Sequence, residues 1–244
     1  MKKLLSVILT PVFYLIFGLI LVFFHIVQVI TLNIFGHNAH DKSVSALNWC
    51  LVKSHLILGA TYKFHNFKPL PDNQPIIVIA NHQSMWDIPP LIWQFRKHHP
   101  KFIAKKELTK GIPSISYNLK HGGSVNIDRK NPQESIEKIK TFAQNINAKK
   151  YAVCIFPEGS RSKDGKMKPF KVGGMQTLIA EMPNALIVPV AINGTAKIDN
   201  HGSKFLNLGV SVNYTCLKPR KMSLVNLESE LNELANDMKP FVEE

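Results

Sequence analysis

The feature that most constrains this chain is a long stretch of uncharged residues near its N-terminus. From Leu4 to His40 there is no Asp, Glu, Lys or Arg, and only Met1, Lys2 and Lys3 precede the stretch. The apolar core of a secretory signal has roughly 7–15 residues, whereas a membrane-spanning helix needs about 20. The stretch is too long for the first and long enough for the second, so we expect a helix in contact with a membrane.

A second helical pattern follows Gly36, which is a candidate kink. Four apolar residues fall on one face of this helix: Val44, Leu47, Leu51 and Leu58. Gly59 would end it. Two interpretations stay open. The two helices form a hairpin on or in the bilayer, with Trp49 and Lys53 as interfacial anchors, or the second helix belongs to the core of the following domain.

The overall composition limits the class of protein. Hydrophobic residues make up 45% and charged residues 19%, which excludes a disordered chain. Thirty basic against seventeen acidic residues give a net charge of +13, which favours an anionic partner such as a membrane face or a phosphorylated substrate. The basic excess is spread along the chain, so we expect no nucleic-acid partner. Three cysteines without a C-x-x-C pair exclude a disulfide scaffold and make a thiolate metal site improbable.

Short apolar runs alternate with helical patterns beyond residue 60. The predicted strands are Ile76–Ala80, Phe102–Ala104, Val125–Ile127, Ala152–Phe156, Leu186–Ile192 and Val210–Thr215. The predicted helices are Ile88–Lys97, Pro132–Asn147, Gly174–Glu181 and Leu224–Met238. The alternation predicts an α/β domain over residues 61–244, with a mixed, largely parallel sheet flanked by helices. Residues 1–60 are predicted to form an N-terminal apolar two-helix membrane anchor.

Polar chemistry is concentrated where predicted strands end, the edge at which α/β sheets bind ligands. His82 and Asp87 follow the strand Ile76–Ala80 and are five residues apart. A carboxylate that folds back onto an imidazole fixes its tautomer and leaves the other ring nitrogen to take a proton. Alternatively, Asp87 caps the next helix and His82 is a loop residue.

Two further segments carry cations. Phe156–Ser162 ends a predicted strand and contains Glu158, Gly159 and Arg161, whose guanidinium can hold a phosphate. Four lysines follow: Lys163, Lys166, Lys168 and Lys171. In the third segment, Gly122–Arg129, a glycine pair leads into a strand. The alternatives are a solvated basic loop and a surface ion pair of Arg129.

In their order and spacing these segments resemble the glycerophospholipid acyltransferase family, most closely its bacterial 1-acylglycerol-3-phosphate acyltransferases. Asn81–Asp87 is similar to the N-H-x-x-x-x-D block, and Phe156–Ser162 to the F-P-E-G-[ST]-R-S block. Gly123–Arg129 resembles the second block, with Asn126 where an aromatic or apolar residue is common. Val188–Ile192 resembles the fourth, V-P-V-type block. The resemblance covers about residues 60–215 and is less specific for the acceptor lipid.

The resemblance implies transfer of an acyl group from acyl-CoA or acyl-acyl carrier protein to the sn-2 hydroxyl of 1-acylglycerol-3-phosphate (lysophosphatidic acid). The product is phosphatidic acid, an intermediate of phospholipid biosynthesis. His82 would be the general base and Asp87 would orient it. The implied substrate-binding residues are Arg161, Glu158, Gly159, Arg129 and Lys105. No metal is implied, and no cofactor besides the acyl donor as co-substrate.

The implied partners are a membrane lipid, the acyl donor and an anionic membrane surface. Both donors have cytosolic pools, and Lys2 and Lys3 favour a cytoplasmic N-terminus. A single span would then put the domain on the wrong side, so we expect a monotopic anchor on the cytoplasmic face of the inner membrane.

Three alternatives stay open. The first is the same chemistry on glycerol-3-phosphate, a lyso-ornithine lipid or another lysophospholipid. The second is a hydrolase with Ser84 or Ser160 as nucleophile, against which the missing G-x-S-x-G counts. The third is a non-catalytic module that binds anionic membranes. The remaining histidines, among them His55 and His99, have no partner at motif spacing and are expected to be core or surface residues.

Overall fold

Residues 2–54 form one long helix that folds back on itself. The structure, a computed structural model, describes residues 2–128, 130–162, 164–199 and 204–242. Helix α1, Lys2–Ser54, is interrupted at Gly36, whose φ of 78° suits glycine. Across this kink Thr31 Oγ1 lies 3.3 Å from Ser43 Oγ, and Leu21 shares an apolar cluster with residues 47 and 51. The kink predicted at Gly36 is confirmed, and α1 is a helical hairpin.

The two halves of the hairpin face different surroundings. Val44, Leu47, Leu51 and Leu58 are 7%, 2%, 2% and 1% exposed, because they pack inside the protein. Of the two interpretations of this face, the structure supports the core helix. The first half exposes most of its large apolar side chains, among them Leu4, Ile8, Leu15, Leu19, Phe23, Ile26, Ile34 and Phe35. It is long and apolar enough to cross a membrane, and this uncovered surface indicates membrane association.

A seven-stranded sheet follows the hairpin. Its strands are β1 Thr61–His65, β2 Ile76–Ala80, β3 Lys101–Lys105, β4 Val125–Ile127, β5 Ala152–Ile155, β6 Leu186–Asn193 and β7 Ser211–Cys216. The helices between and after them are α2 Ile88–Gln94, α3 Ile115–His121, α4 Pro132–Lys149, α5 Val172–Glu181 and α6 Leu227–Met238. The strand order is β1-β7-β6-β2-β5-β3-β4, and every pair is parallel except β6 with β7. The predicted mixed, largely parallel α/β fold is confirmed.

The central strands of the sheet are buried on both faces, which explains why they read as continuous apolar runs. All five residues of β2 are buried. Its odd and even positions enter two separate cores. One core lies under α4, α5 and α6, and the other lies under α1 and α2. Phe13 and Val44 of the hairpin belong to the second core, so the division at residues 60 and 61 stays a prediction.

A buried ionic cluster ties the hairpin to the start of β3. Asp41 accepts from Lys101 Nζ at 2.6 Å and lies 2.8 Å from His99 Nδ1. Burial raises the pKa of Asp41, but the neighbouring His40 imidazole, the charge and hydrogen bond of Lys101 and the hydrogen bond of His99 outweigh it and hold that pKa below its usual range. The sequence analysis looked for partners of His99 at motif spacing only, and Asp41 lies 58 positions away in the sequence.

Candidate active site

His82 and Asp87 meet at the C-terminal end of β2. Ser84 caps a short 3-10 turn, Met85–Asp87, which brings the carboxylate back over the start of the loop. His82 Nδ1 lies 2.7 Å from Asp87 Oδ2. Asp87 is fully buried, whereas 16% of the His82 side chain is exposed. One nitrogen of the imidazole is therefore held by a buried acid, while a small part of the ring reaches solvent.

The hydrogen bonds of Asp87 fix the tautomer of His82. Asp87 Oδ2 also accepts from the backbone N–H groups of Gln83 and Ser84, at 2.7 and 2.9 Å. Asp87 Oδ1 accepts from the Thr195 hydroxyl at 2.5 Å. An ionised carboxylate has only acceptor sites, so it suits this ring of donors, and His82 Nδ1 must be the proton donor. His82 Nε2 is then left unprotonated and can take a proton from a ligand.

The ring of His82 is also held from its face. It stacks on Phe156, at the end of β5, with centroids 4.1 Å apart and an interplanar angle of 17°. Stacking restricts rotation of the imidazole, while the hydrogen bond to Asp87 fixes which edge points outward. Phe156 belongs to the third sequence block, so the first and third blocks contact each other directly.

Glu158 joins the same two blocks through the backbone. Its Oε1 accepts from the His82 N–H at 2.8 Å, and its Oε2 accepts from the Lys168 N–H at 3.2 Å. The residue is 2% exposed. Burial raises the pKa of Glu158 to about 7, although the two N–H groups and Lys168 act to lower it. The carboxylate therefore holds the loop together rather than facing the cleft.

The other predicted substrate-binding residues lie at the same edge of the sheet. Arg161 is exposed in the loop after β5, and Lys105 is exposed at the end of β3. Gly159 has a φ of 73°, and a Cβ there would lie 3.3 Å from Lys171 Nζ. Lys168 Nζ donates to the carbonyl of Arg161 at 2.6 Å, which braces the loop.

Some predicted cations are beyond what the structure describes. Arg129 and Lys163 lie outside the described residues. Strand β4 ends at Ile127, which pairs with Lys105 at the same edge of the sheet. Within the described ranges, no group of three or more His, Cys, Asp or Glu side chains is arranged to hold a metal ion.

The serines of the hydrolase alternative are occupied otherwise. Ser84 Oγ donates to Asp199 Oδ2 at 2.6 Å, and Ser160 Oγ accepts from Lys168 Nζ at 3.1 Å. A serine nucleophile needs a hydrogen bond to its general base, and for both of these hydroxyls the recorded partner is a group other than His82. This geometry does not support the hydrolase interpretation.

Four further residues contact the site but had no role predicted from the sequence: Asn81, Gln83, Thr195 and Asp199. Asn81 exchanges two hydrogen bonds with Ile192 of β6, which fixes the start of the loop. Thr195 lies just beyond β6, the neighbour of β2, and follows the fourth block. That position was the available signal.

Comparison with known proteins shows which family the chain resembles. Residues 61–193 match a family model described as "Acyltransferase". A 1-acyl-sn-glycerol-3-phosphate acyltransferase of Cocos nucifera is 34% identical over 163 residues, which are 67% of this chain and 47% of that protein. The one of Saccharomyces cerevisiae is 30% identical over 187 residues, 75% of this chain and 59% of the relative.

A solved structure extends the similarity to the whole fold. The crystal structure of the 1-acyl-sn-glycerophosphate acyltransferase PlsC from Thermotoga maritima has a TM-score of 0.77 and 25% identity. It matches 100% of this chain and 97% of the other. By contrast, the chain spans only about half the length of the curated relatives named above. With its family-model match covering more than half of its length, the chain belongs to the acyltransferase family, among the glycerophospholipid acyltransferases that its four sequence blocks resemble.

Proposed function

We propose that this protein transfers an acyl group from a thioester donor to the sn-2 hydroxyl of 1-acylglycerol-3-phosphate, giving phosphatidic acid. The observation that carries the proposal is the buried Asp87 on Nδ1 of His82, with Nε2 left to accept a proton. Relatives over the same blocks are named for this reaction, which supports the choice of acceptor. The donor is acyl-CoA or acyl-acyl carrier protein.

The proposed chemistry uses the acceptor hydroxyl as nucleophile. His82 Nε2 removes the hydroxyl proton while the oxygen attacks the thioester carbonyl carbon. The tetrahedral adduct collapses and its C–S bond breaks. The sulfur takes up the proton that His82 had accepted and leaves as a thiol. Asp87 keeps the imidazole oriented and balances the charge of the imidazolium during these steps. The mechanism as proposed needs no metal and no cofactor other than the acyl donor.

Cations at the same edge of the sheet would hold the acceptor phosphate. Arg161 is exposed in the loop after β5, near His82 and Asp87, and its planar guanidinium can bind two phosphate oxygens. We propose Lys105 and Arg129 as further phosphate ligands. Gly159 lets the loop turn at positive φ, and Glu158 contributes by fixing that loop to the backbone of His82.

The hairpin would bring this edge of the sheet to the lipid. We propose a monotopic attachment to the cytoplasmic face of the inner membrane, with the apolar side of the first half of α1 in one leaflet. The net charge of +13 supports attraction to an anionic surface, where each nearby basic residue can add about 1 kcal/mol. Trp49, 42% exposed and with Lys53 Nζ 5.8 Å from its ring centroid, would lie at such an interface.

The test is acyl transfer by the purified protein in detergent. Labelled palmitoyl-CoA is offered with lysophosphatidic acid, and in parallel with glycerol-3-phosphate and a lyso-ornithine lipid. Labelled phosphatidic acid is the expected product, and Arg161→Ala should raise the KM for lysophosphatidic acid. Product with another acceptor alone would refute the proposed substrate. No transfer to any acceptor, also with acyl-acyl carrier protein as donor, would leave membrane binding without catalysis.

A further inference from the structure

Trp86 lies in the catalytic loop, residues 81–87, which carries His82 and Asp87, and its side chain packs into the helical hairpin of α1. Its indole is 1% exposed and meets three rings of the hairpin region edge-on. The centroids of Phe13, Phe17 and His55 lie 5.7, 5.6 and 4.7 Å from the indole centroid. Trp86 is the residue before Asp87, so the packing of the hairpin bears directly on the turn that presents the carboxylate to His82.

Asp199 accepts hydrogen bonds from the Trp86 indole and from Ser84. Its Oδ1 accepts from Trp86 Nε1 at 3.0 Å, and its Oδ2 accepts from Ser84 Oγ at 2.6 Å. Trp86 and Ser84 are both 1% exposed. No other partner within the described chain is recorded for the Trp86 Nε1–H. Without Asp199 the buried Trp86 Nε1–H would lose its acceptor, and the Ser84 hydroxyl would lose its shortest hydrogen bond.

Thr195 and Asp199 belong to one short segment, and both contact the catalytic loop. Thr195 donates to Asp87, the N–H of Gly194 donates to Gln83, and Asp199 follows four residues after Thr195. Residues 194–199 thus contact the catalytic loop at four residues, Gln83, Ser84, Trp86 and Asp87. Thr195 acts on the carboxylate itself. Asp199 acts on the two residues whose positions decide where the carboxylate turns.

We propose that Asp199 is a positioning residue, which fixes Ser84 and Trp86 and thereby orients the His82–Asp87 pair relative to the hairpin. It acts through these residues and not on the substrate. Ser84 N–H and Gln83 N–H both bind Asp87 Oδ2, so a displaced Ser84 would loosen the acid that orients His82. The catalytic consequence rests on the proposed function. The structural consequence, protection of those two N–H groups, does not.

The first test measures kcat and KM for acyl transfer to lysophosphatidic acid. Asp199→Ala is expected to lower kcat by about 10²-fold, the cost of a small misplacement of reacting groups, with little change in KM. Asp199→Asn keeps a partner for both groups, through Oδ1 to the indole and Nδ2 to Ser84, and should recover most of the rate. Asp237→Ala, which removes the partner of Arg220 on α6, is the matched control and should resemble the unchanged protein.

The second test needs no activity. Hydrogen exchange of the backbone N–H groups of Gln83 and Ser84 is followed by mass spectrometry of peptides covering residues 82–87. Asp199→Ala should speed this exchange at least tenfold, and Asp237→Ala should leave it unchanged. Unaltered exchange in Asp199→Ala would overturn the inference, whether or not the protein is active. Absence of acyl transfer by the unchanged protein would instead be a failure of the proposed function.

Three further results decide between roles. An equal loss in Asp199→Ala and Asp199→Asn, with a raised KM, would overturn positioning in favour of direct substrate contact. If Asp199 acts through Ser84, the double variant with Ser84→Ala should have the kcat of Asp199→Ala alone, and multiplied losses would contradict it. If Asp199→Ala does not fold, Ser84→Ala and Trp86→Phe each remove one of the two hydrogen bonds. Full activity in both would also overturn the proposal.

Discussion

Thr195→Val tests whether the buried carboxylate, rather than the histidine alone, sets the activity. Thr195 is 0% exposed, and its hydroxyl supplies the hydrogen bond recorded for Asp87 Oδ1, at 2.5 Å. Valine has nearly the same shape, so the change deletes the hydroxyl with little disturbance of packing. Thr195→Ser is the matched control, because it keeps the hydroxyl and removes only a methyl group.

The expected size of the effect follows from the loss of one donor to a buried charge. Hydrogen bonds to charged groups contribute about 1.5–3 kcal/mol, and 1 kcal/mol shifts the Tm of a protein of this size by about 2–4 °C. Thr195→Val should therefore lower the Tm by about 3–12 °C. Asp87 Oδ2 keeps its two backbone donors, so the acid stays in place but is less rigidly held. We expect a fall in kcat of about tenfold, which corresponds to about 1.4 kcal/mol.

The assay pairs thermal unfolding in detergent with initial rates of acyl transfer. The methyl group lost in Thr195→Ser costs about 0.8 kcal/mol of burial, so its Tm should fall slightly while its kcat stays near that of the unchanged protein. Equal kcat values in the valine and serine variants would refute the argument that the hydroxyl of Thr195 helps to orient the dyad.

Three further predictions concern residues around the site and the hairpin. Gly159→Ala, at a φ of 73° and with its Cβ 3.3 Å from Lys171 Nζ, should cost about 1–2 kcal/mol in stability, measured as a lower Tm, whereas an unchanged Tm would contradict the turn as described. The folded-state pKa of Glu158, about 7, lies above its ordinary value of 4.5, so stability that is fully present below pH 4.5 should be lost as pH rises through 7. The Tm of the unchanged protein should therefore decline relative to Glu158→Gln between pH 5 and 8, and a constant difference would refute this. Asp41 has a lowered pKa, so its contribution is present above its ordinary pKa of 3.8 and lost as pH falls below it. Asp41→Asn should accordingly lower the Tm at pH 7, and the gap should narrow below about pH 4. A gap that widens in acid would contradict the ionic cluster.

Local patterns predicted most of the fold. β2 and β4 begin and end where their apolar runs do, and Gly36 and Gly59 interrupt the helices because both need positive φ. β1 and α3 were missed. β1 is an edge strand with alternating exposure, and α3 is a seven-residue helix preceded by Ser114 at a φ of 61°. Neither has the continuous apolar run that marked the other elements.

The surroundings of the hairpin and the site depended on distant contacts. Periodicity alone could not distinguish a bilayer from a protein core as the environment of Val44 and Leu47, because both are apolar. The pairing of His82 with Asp87 was within reach, since it spans five residues. Thr195 and Asp199 meet the same loop across 108 and 115 positions, and only the parallel pairing of β2 with β6 brings them there.

The most direct test of the central claim determines whether the acyl group is transferred to the sn-2 hydroxyl and whether this transfer requires His82. Phosphatidic acid made from labelled acyl-CoA and 1-acylglycerol-3-phosphate is digested with a phospholipase that releases only the sn-2 chain. We predict that the label is released from the product of the unchanged protein. We also predict that His82→Gln, with a Tm close to that of the unchanged protein, makes little product. Label retained after digestion, or undiminished transfer by folded His82→Gln, would contradict the account.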